Sequence, residues 1–293
     1  MSEWLQGIQR SPSLVTLRLD CASHAQPGRP MNRQSRRIAM QIVLAMLAGL
    51  TGLRAQETTG SPANTPAQRV VLVELFTSEG CSSCPPADAL LRQVNGTQTS
   101  AGQWIVGISE HVTYWNSEGW SDPFSSPVNT ERQNDYGERF HLEGVYTPQM
   151  VINGSEQIVG SDRAAFVRAV QKEEEQNPLM SLSILSMQVA GDTLTVNYST
   201  RGEVPVHGAD LIAVVADDSD RSSVLRGENS GQTLAHVAVA RSISRVGKVQ
   251  AAGERTLRVK LPPSFQAAQK HHLILFAQTP GNGRVLGADT KPL

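Results

Sequence analysis

The sequence is short of cysteine, of aromatic residues and of any excess of charge. Its 293 residues include three cysteines and 5% aromatics, and the formal net charge is −1. Balanced charge without a basic stripe argues against a nucleic-acid partner. No stretch recurs at a fixed period, which argues against a solenoid or propeller. The apolar stretch Ile38 to Leu53 falls short of the about 20 residues that a membrane-spanning helix needs. What is left, 39% hydrophobic and 18% charged, suits a chain that buries ordinary cores, with length for about two domains.

Arg33, Arg36 and Arg37 precede the apolar stretch, and Leu53-Arg54-Ala55 closes it with a small residue suited to a cut. This is the pattern of a secretory signal. Residues 1–55 therefore read as an N-terminal extension and signal peptide, with translation expected to begin at Met31. The product is expected to be periplasmic or secreted and free of the membrane after cleavage; the alternative is an anchor left uncleaved. Residues 56–68, QETTGSPANTPAQ, read as a polar linker. Cys21 lies ahead of the signal, so the exported chain keeps only Cys81 and Cys84, in a compartment where a disulfide can form. Two cysteines cannot fill a closed zinc site of four ligands.

Val70 to Phe76 is an apolar, β-branched run that predicts a buried strand. Ser82 to about Val94 carries helical spacing, and Trp104 to Ser109 predicts a second strand, parallel to the first through the crossover. A long loop from His111 to Pro127 and a polar helix over Asn129 to Phe140 follow. Gln149 to Asn153 reads as a strand, Asn153-Gly154 as a hairpin turn, Gln157 to Val159 as the return strand, and Asp162 as the cap of a helix to about Glu175. The order βαβαββα is that of a thioredoxin fold, assigned to residues 69–177. Residues 178–293 predict six strands (Leu182 to Val189, Thr193 to Tyr198, Asp210 to Val215, Thr233 to Ile243, Thr256 to Val259, Leu273 to Ala277). They read as a small all-β, sandwich-like subdomain.

The chemistry is expected at Cys81 and Cys84, a CxxC pair between a strand and a helix. Free N–H groups and the helix dipole favour thiolate there, so Cys81 would attack a substrate disulfide and Cys84 would resolve the intermediate. The alternative is an inert local disulfide. Glu74, inside the apolar strand, is a candidate base for Cys84, or else a half-exposed edge residue. Pro148 follows Thr147 and opens a strand. The topology puts Cys81, Glu110, His111, Tyr114, Trp115 and Pro148 at one edge of the sheet. Tyr114 and Trp115, with Thr147 and Glu110, are candidate substrate contacts; Trp120 and Phe124 in the same loop can equally pack on their neighbours. A metal site of Cys81, Cys84 and His111, suited to Cu(I), is a competing reading, as is a binding module with a structural disulfide. No cofactor is called for, and the expected partner is a protein or small-molecule thiol or disulfide.

The runs ELFTSEGCSSCPPADALL, HVTYWNSEGWSDPF, RQ, VYTPQMVING and VGSD resemble the DUF 1223 family, over roughly Val70 to Val170 and more weakly at Arg226-Gly227-Glu228-Asn229. That family, of unknown function, belongs to the thioredoxin-like superfamily and is found mainly in bacterial exported proteins. The resemblance implies a thioredoxin-like fold with an added all-β part. It also implies a cis Pro148 that faces the cysteine pair. One departure is Thr113, where the family usually has Asp, a carboxylate suited to orienting His111.

Overall fold

A computed structural model describes residues 69–176, 179–250 and 252–293. The leader, the linker and Cys21 lie outside the described residues. Strand β1 (Val70–Thr77) leads through the cysteine turn into helix α1 (Pro85–Val94), which starts three residues later than the spacing predicts. The delay has a local cause: Cys84 N–H bonds back to the Cys81 carbonyl, and Pro85 and Pro86 then take the first helical positions. Strand β2 (Trp104–His111) lies parallel to β1, with Val70 opposite Trp104 and Thr77 opposite His111. Helix α2 (Pro127–Arg139) begins where the Ser126 side chain accepts from Val128 N–H.

Strands β3 (Gln149–Ile152) and β4 (Glu156–Val159) form the expected hairpin. Asn153 (φ 48°) and Gly154 (φ 63°) supply its two left-handed positions. Helix α3 (Arg163–Glu174) is capped by Asp162, as the sequence predicts. The remaining strands are β5 (Met180–Ala190), β6 (Thr193–Gly202), β7 (Asp210–Ser223), β8 (Thr233–Lys248), β9 (Gly253–Lys260), β10 (His271–Gln278) and β11 (Val285–Pro292). The last was not expected. Gly287, Lys291 and Pro292 hide its pattern, and as an edge strand it tolerates proline.

The two halves do not part near residue 178. One eight-stranded sheet, ordered β11-β10-β7-β8-β2-β1-β3-β4, runs through both. The junction is the parallel pairing of β8 with β2 at Val239 and Ser109, which covers an edge that β2 would otherwise leave open. A second sheet, β5-β6-β9, packs its Leu182, Ile184, Leu194 and Val196 against Leu211, Val215, Leu273 and Leu275 of the large sheet. Two sheets therefore meet over this core, and the larger one runs through both halves of a mixed α/β body.

Strand parity sorts the rest. Val71, Val73 and Leu75 face α1 and α3, packing with Leu90, Leu91, Phe166 and Val170. Leu72 turns the other way and joins Val106, Ile108, Val214 and Phe276 in a core that crosses the junction, while Phe76 packs with Tyr136 of α2. Among the described residues no helix is long and apolar enough to cross a membrane.

Candidate functional site

Cys81 and Cys84 are joined by a disulfide across the turn between β1 and α1, with Cα atoms 5.5 Å apart. Both have 0% exposure, although Ser82 and Ser83 between them are exposed. The helix end offers fewer donors than expected. Pro85 and Pro86 have no N–H, and the N–H groups of Ala87 and Asp88 both bond to the Cys84 carbonyl. The Ser83 hydroxyl donates to Cys81 Sγ at 3.3 Å, since a disulfide sulfur has no proton to give.

Trp115 links this turn to the β3 side. Its Cβ would lie 3.0 Å from a side chain at Gly80, so any larger residue there would crowd it, and its indole N–H donates to Thr147 Oγ1 at 2.7 Å. The Thr147–Pro148 peptide is cis. Gly160 lies between Pro148 and Ala87; an added Cβ would come within 3.1 and 3.2 Å of theirs. Tyr114, the most exposed of these residues at 37%, donates its hydroxyl to Gln133 Oε1.

Behind the turn lies a buried set of ionisable groups that sequence reading did not assemble. Glu79 accepts from the Trp120 indole (2.8 Å), from the Ser222 hydroxyl and from His236 Nε2 (3.2 Å). His236 Nδ1 stands 3.6 Å from Asp88 Oδ1. Burial alone would depress the His236 pKa, but Asp88 and Glu79 outweigh it and raise it to about 9. Burial likewise works against ionised Glu79, and its three donors, led by His236, bring its pKa below the usual carboxylate value.

His111 belongs to the same group. Its Nδ1 is 2.7 Å from Asp122 Oδ2. Against burial, the His111 charge and hydrogen bond, with the N–H groups of Glu79 and Phe124, hold the Asp122 carboxyl below its ordinary pKa. An ionised carboxylate has no proton, so His111 Nδ1–H donates, and buried Nε2 has no hydrogen-bond partner among the described residues. The His111 ring meets His236 edge-on at 4.6 Å and Phe124 at 5.4 Å. Asp122 thus does what was expected of an acid at position 113; Thr113 bonds instead to Thr130 of α2. Trp120 and Phe124 are taken up inside the site rather than lining a groove.

Two expected members lie elsewhere. Glu74 and Glu110 point to the α2 face, away from α1. Arg132 Nε and the Tyr136 hydroxyl each donate to Glu74 at 2.6 Å, so Glu74 is held on the α2 face and is not placed to act as a base for Cys84. Arg132 also reaches Asn282 and Gln278, each at 3.0 Å. Glu110 is wholly buried, 3.8 Å from Arg132, and cannot touch a substrate. Burial first, and the Glu74 charge second, push its pKa well above the carboxylate range. Among the described residues no three His, Cys, Asp or Glu side chains are placed to hold a metal ion, so the set Cys81, Cys84 and His111 is not assembled. A cavity of about 270 Å³ opens at the opposite edge of the sheet, lined by Arg69, Gln103, Glu173, Arg201 and Arg284 among others, and touches none of this.

The second half of the chain closes the site. Asn229 Nδ2 donates to the carbonyls of Glu79 (2.8 Å) and Cys81 (2.9 Å), and Glu228 accepts from Ser82 N–H at 2.9 Å. The weak match at 226–229 was the one sequence sign of this role.

A protein from Agrobacterium tumefaciens of known crystal structure is 29% identical over 76% of this chain and 94% of its own, with a TM-score of 0.55. HBP35 of Porphyromonas gingivalis is 13% identical over 77% of this chain and 75% of its own, with a TM-score of 0.57, a likeness of fold alone. No curated protein matches the sequence. The profile of the DUF1223 family, proteins of unknown function, matches residues 72–278, and the chain belongs to that family.

Proposed function

We propose that this chain is an exported thiol–disulfide oxidoreductase of thioredoxin-like fold, in which Cys81 and Cys84 cycle between disulfide and dithiol. The observation that carries the reading is the disulfide at the head of α1 with proton-holding groups packed behind it. The element order βαβαββα and the position of Pro148 beside the start of α1 support the fold. The leader pattern in residues 1–55 supports export.

In the reducing direction the Cys81 thiolate attacks a substrate disulfide. The substrate S–S bond breaks, one substrate sulfur leaves as thiolate, and a mixed disulfide forms. Cys84 then attacks Cys81 Sγ, the second substrate sulfur leaves, and the protein disulfide re-forms. Two electrons pass from the pair to the substrate. Cys84 must lose its proton first. Asp88 stands four residues on, on the same face of α1, with His236 behind it, and takes the part expected of Glu74. His111, held by Asp122, packs its ring against His236 in the same cluster.

A second reading, a binding module with a structural disulfide, is favoured by the complete burial of both sulfurs. Trapping separates the two. In the Cys84→Ser variant, a redox enzyme accumulates a mixed disulfide between Cys81 and a disulfide-bearing protein such as insulin, visible on non-reducing gels. If nothing is trapped, the structural reading stands.

A further inference from the structure

An arm from the second half of the chain is hydrogen-bonded to the backbone of the cysteine turn. Strand β10 pairs with β7 only as far as Asp217, and β2 meets β8 only at Val239. Beyond those points Ser219–Ser223 and Thr233–Val237 have, among the described residues, only each other as ladder partners. A two-stranded ribbon of that kind is marginal by itself. Arg92 of α1 steadies it by donating to the Ala235 carbonyl.

The tip of the arm, residues 224–232, is closed by Val224 N–H to the Gln232 carbonyl and Gly231 N–H to the Val224 carbonyl. Only Val224 and Asn229 are buried; Leu225, Arg226, Glu228 and Ser230 are exposed, Leu225 to 72%. Gly227, at φ 77°, lies where a Cβ would come within 3.2 Å of Trp120 Cβ. Three hydrogen bonds from two side chains fasten the tip to the cysteine turn: Asn229 to the carbonyls of Glu79 and Cys81, and Glu228 to Ser82 N–H. The turn is exposed at Ser82 and Ser83, yet both sulfurs are inaccessible.

We infer that the β7–β8 tip is a cap on the Cys81–Cys84 pair, and that breaking the Asn229 and Glu228 hydrogen bonds sets how fast a thiol reaches it. This deepens the redox reading and rests on it for the identity of the partner. The tip is built to open at low cost, because Val224 and Asn229 are its only buried residues; the ribbon behind it stays anchored through Ser222, His236 and Ala235. Asn229 is a positioning residue: it holds the backbone of the turn and does not touch the reacting sulfurs.

The test is the rate at which dithiothreitol reduces the pair in the full chain. A dithiothreitol thiolate attacks one sulfur of the disulfide, and the other leaves as thiolate. The second dithiothreitol thiol then displaces the first sulfur and forms the cyclic disulfide, so two electrons pass from the reagent to the protein. Acid quenching, alkylation and mass spectrometry of the peptide that carries Cys81 and Cys84 give the rate. Asn229→Ala is expected to raise it about ten-fold, the equivalent of one net hydrogen bond, and Glu228→Ala by about half that factor. Glu228 is on the surface, so its variant keeps the fold and decides the matter if Asn229→Ala does not fold. Unchanged rates in the folded variants would overturn the cap, as would a native pair reduced as fast as in the urea-unfolded chain. The potential of the pair is a separate quantity. A value far below the oxidoreductase range, combined with accelerated reduction in the variants, would retire the redox reading and leave the cap in place.

Discussion

Two buried ionic clusters sit on opposite faces of the same sheet, and they are built differently. On the α2 face Glu74 is bonded by Arg132 and Tyr136, and Gln278 and Asn282 complete the shell of Arg132. On the α1 face His236 is held between Asp88 and Glu79, and beside it His111 is held by Asp122. The first arrangement fixes a charge in the core. The second brings two imidazoles together with three carboxylates, and it is the one beside the disulfide. Under the proposed redox reading, the first serves stability and the second serves the cysteine pair.

The comparison breaks most severely at Arg132. Arg132→Ala leaves Glu74 buried without its cation and should cost about 3–5 kcal/mol of stability. Urea unfolding read by circular dichroism measures it, and the redox potential of the remaining folded protein should not move. A loss below 1 kcal/mol would show that the α2 cluster is not the structural one.

The α1 face should respond to pH. His236 binds its proton more tightly when folded, so its contribution is complete below about pH 6.5 and is lost as pH rises through about 9. The size is on the order of 3 kcal/mol. The lowered carboxylates Glu79 and Asp122 act in the opposite sense. Their contribution is present above the ordinary carboxylate pKa and is lost as pH falls below it. Thermal unfolding from pH 5 to 10 should show the alkaline limb, and His236→Gln should flatten it. An alkaline limb that survives the substitution would assign the proton elsewhere.

Two single hydroxyl or indole deletions sharpen the contrast further. Tyr136→Phe removes a donor to a charged acceptor and should cost about 1.5–3 kcal/mol, without altering the rate of disulfide reduction. Trp115→Phe removes the bond to Thr147 and should cost about 1 kcal/mol, while changing that rate, because Trp115 packs on Gly80. Equal effects of both variants on the rate would erase the division of labour.

Much of the fold was legible because its signals are local. The apolar run at β1, the Asp162 cap and the Asn153-Gly154 turn each declare themselves within a few residues. The cysteine pair was legible for the same reason, through spacing alone. Glu74 misled because strand parity separates it from Val73 and Leu75 but does not say which face α1 will cover. Glu79, Asp122, His236 and Asn229 carry no local pattern that ties them together. Glu79 and His236 are 157 positions apart and meet only because β8 docks on β2. That docking is a property of the whole sheet, and so the shared sheet and the capped site escaped sequence reading together.

Under the proposed function, Cys81 and Cys84 are a working redox pair. The most direct measurement is their reduction potential, by equilibration in glutathione buffers, alkylation and mass spectrometry. The account predicts a value within about −120 to −270 mV, the span of known oxidoreductases. A value well below about −300 mV would make the bond a structural disulfide and contradict it.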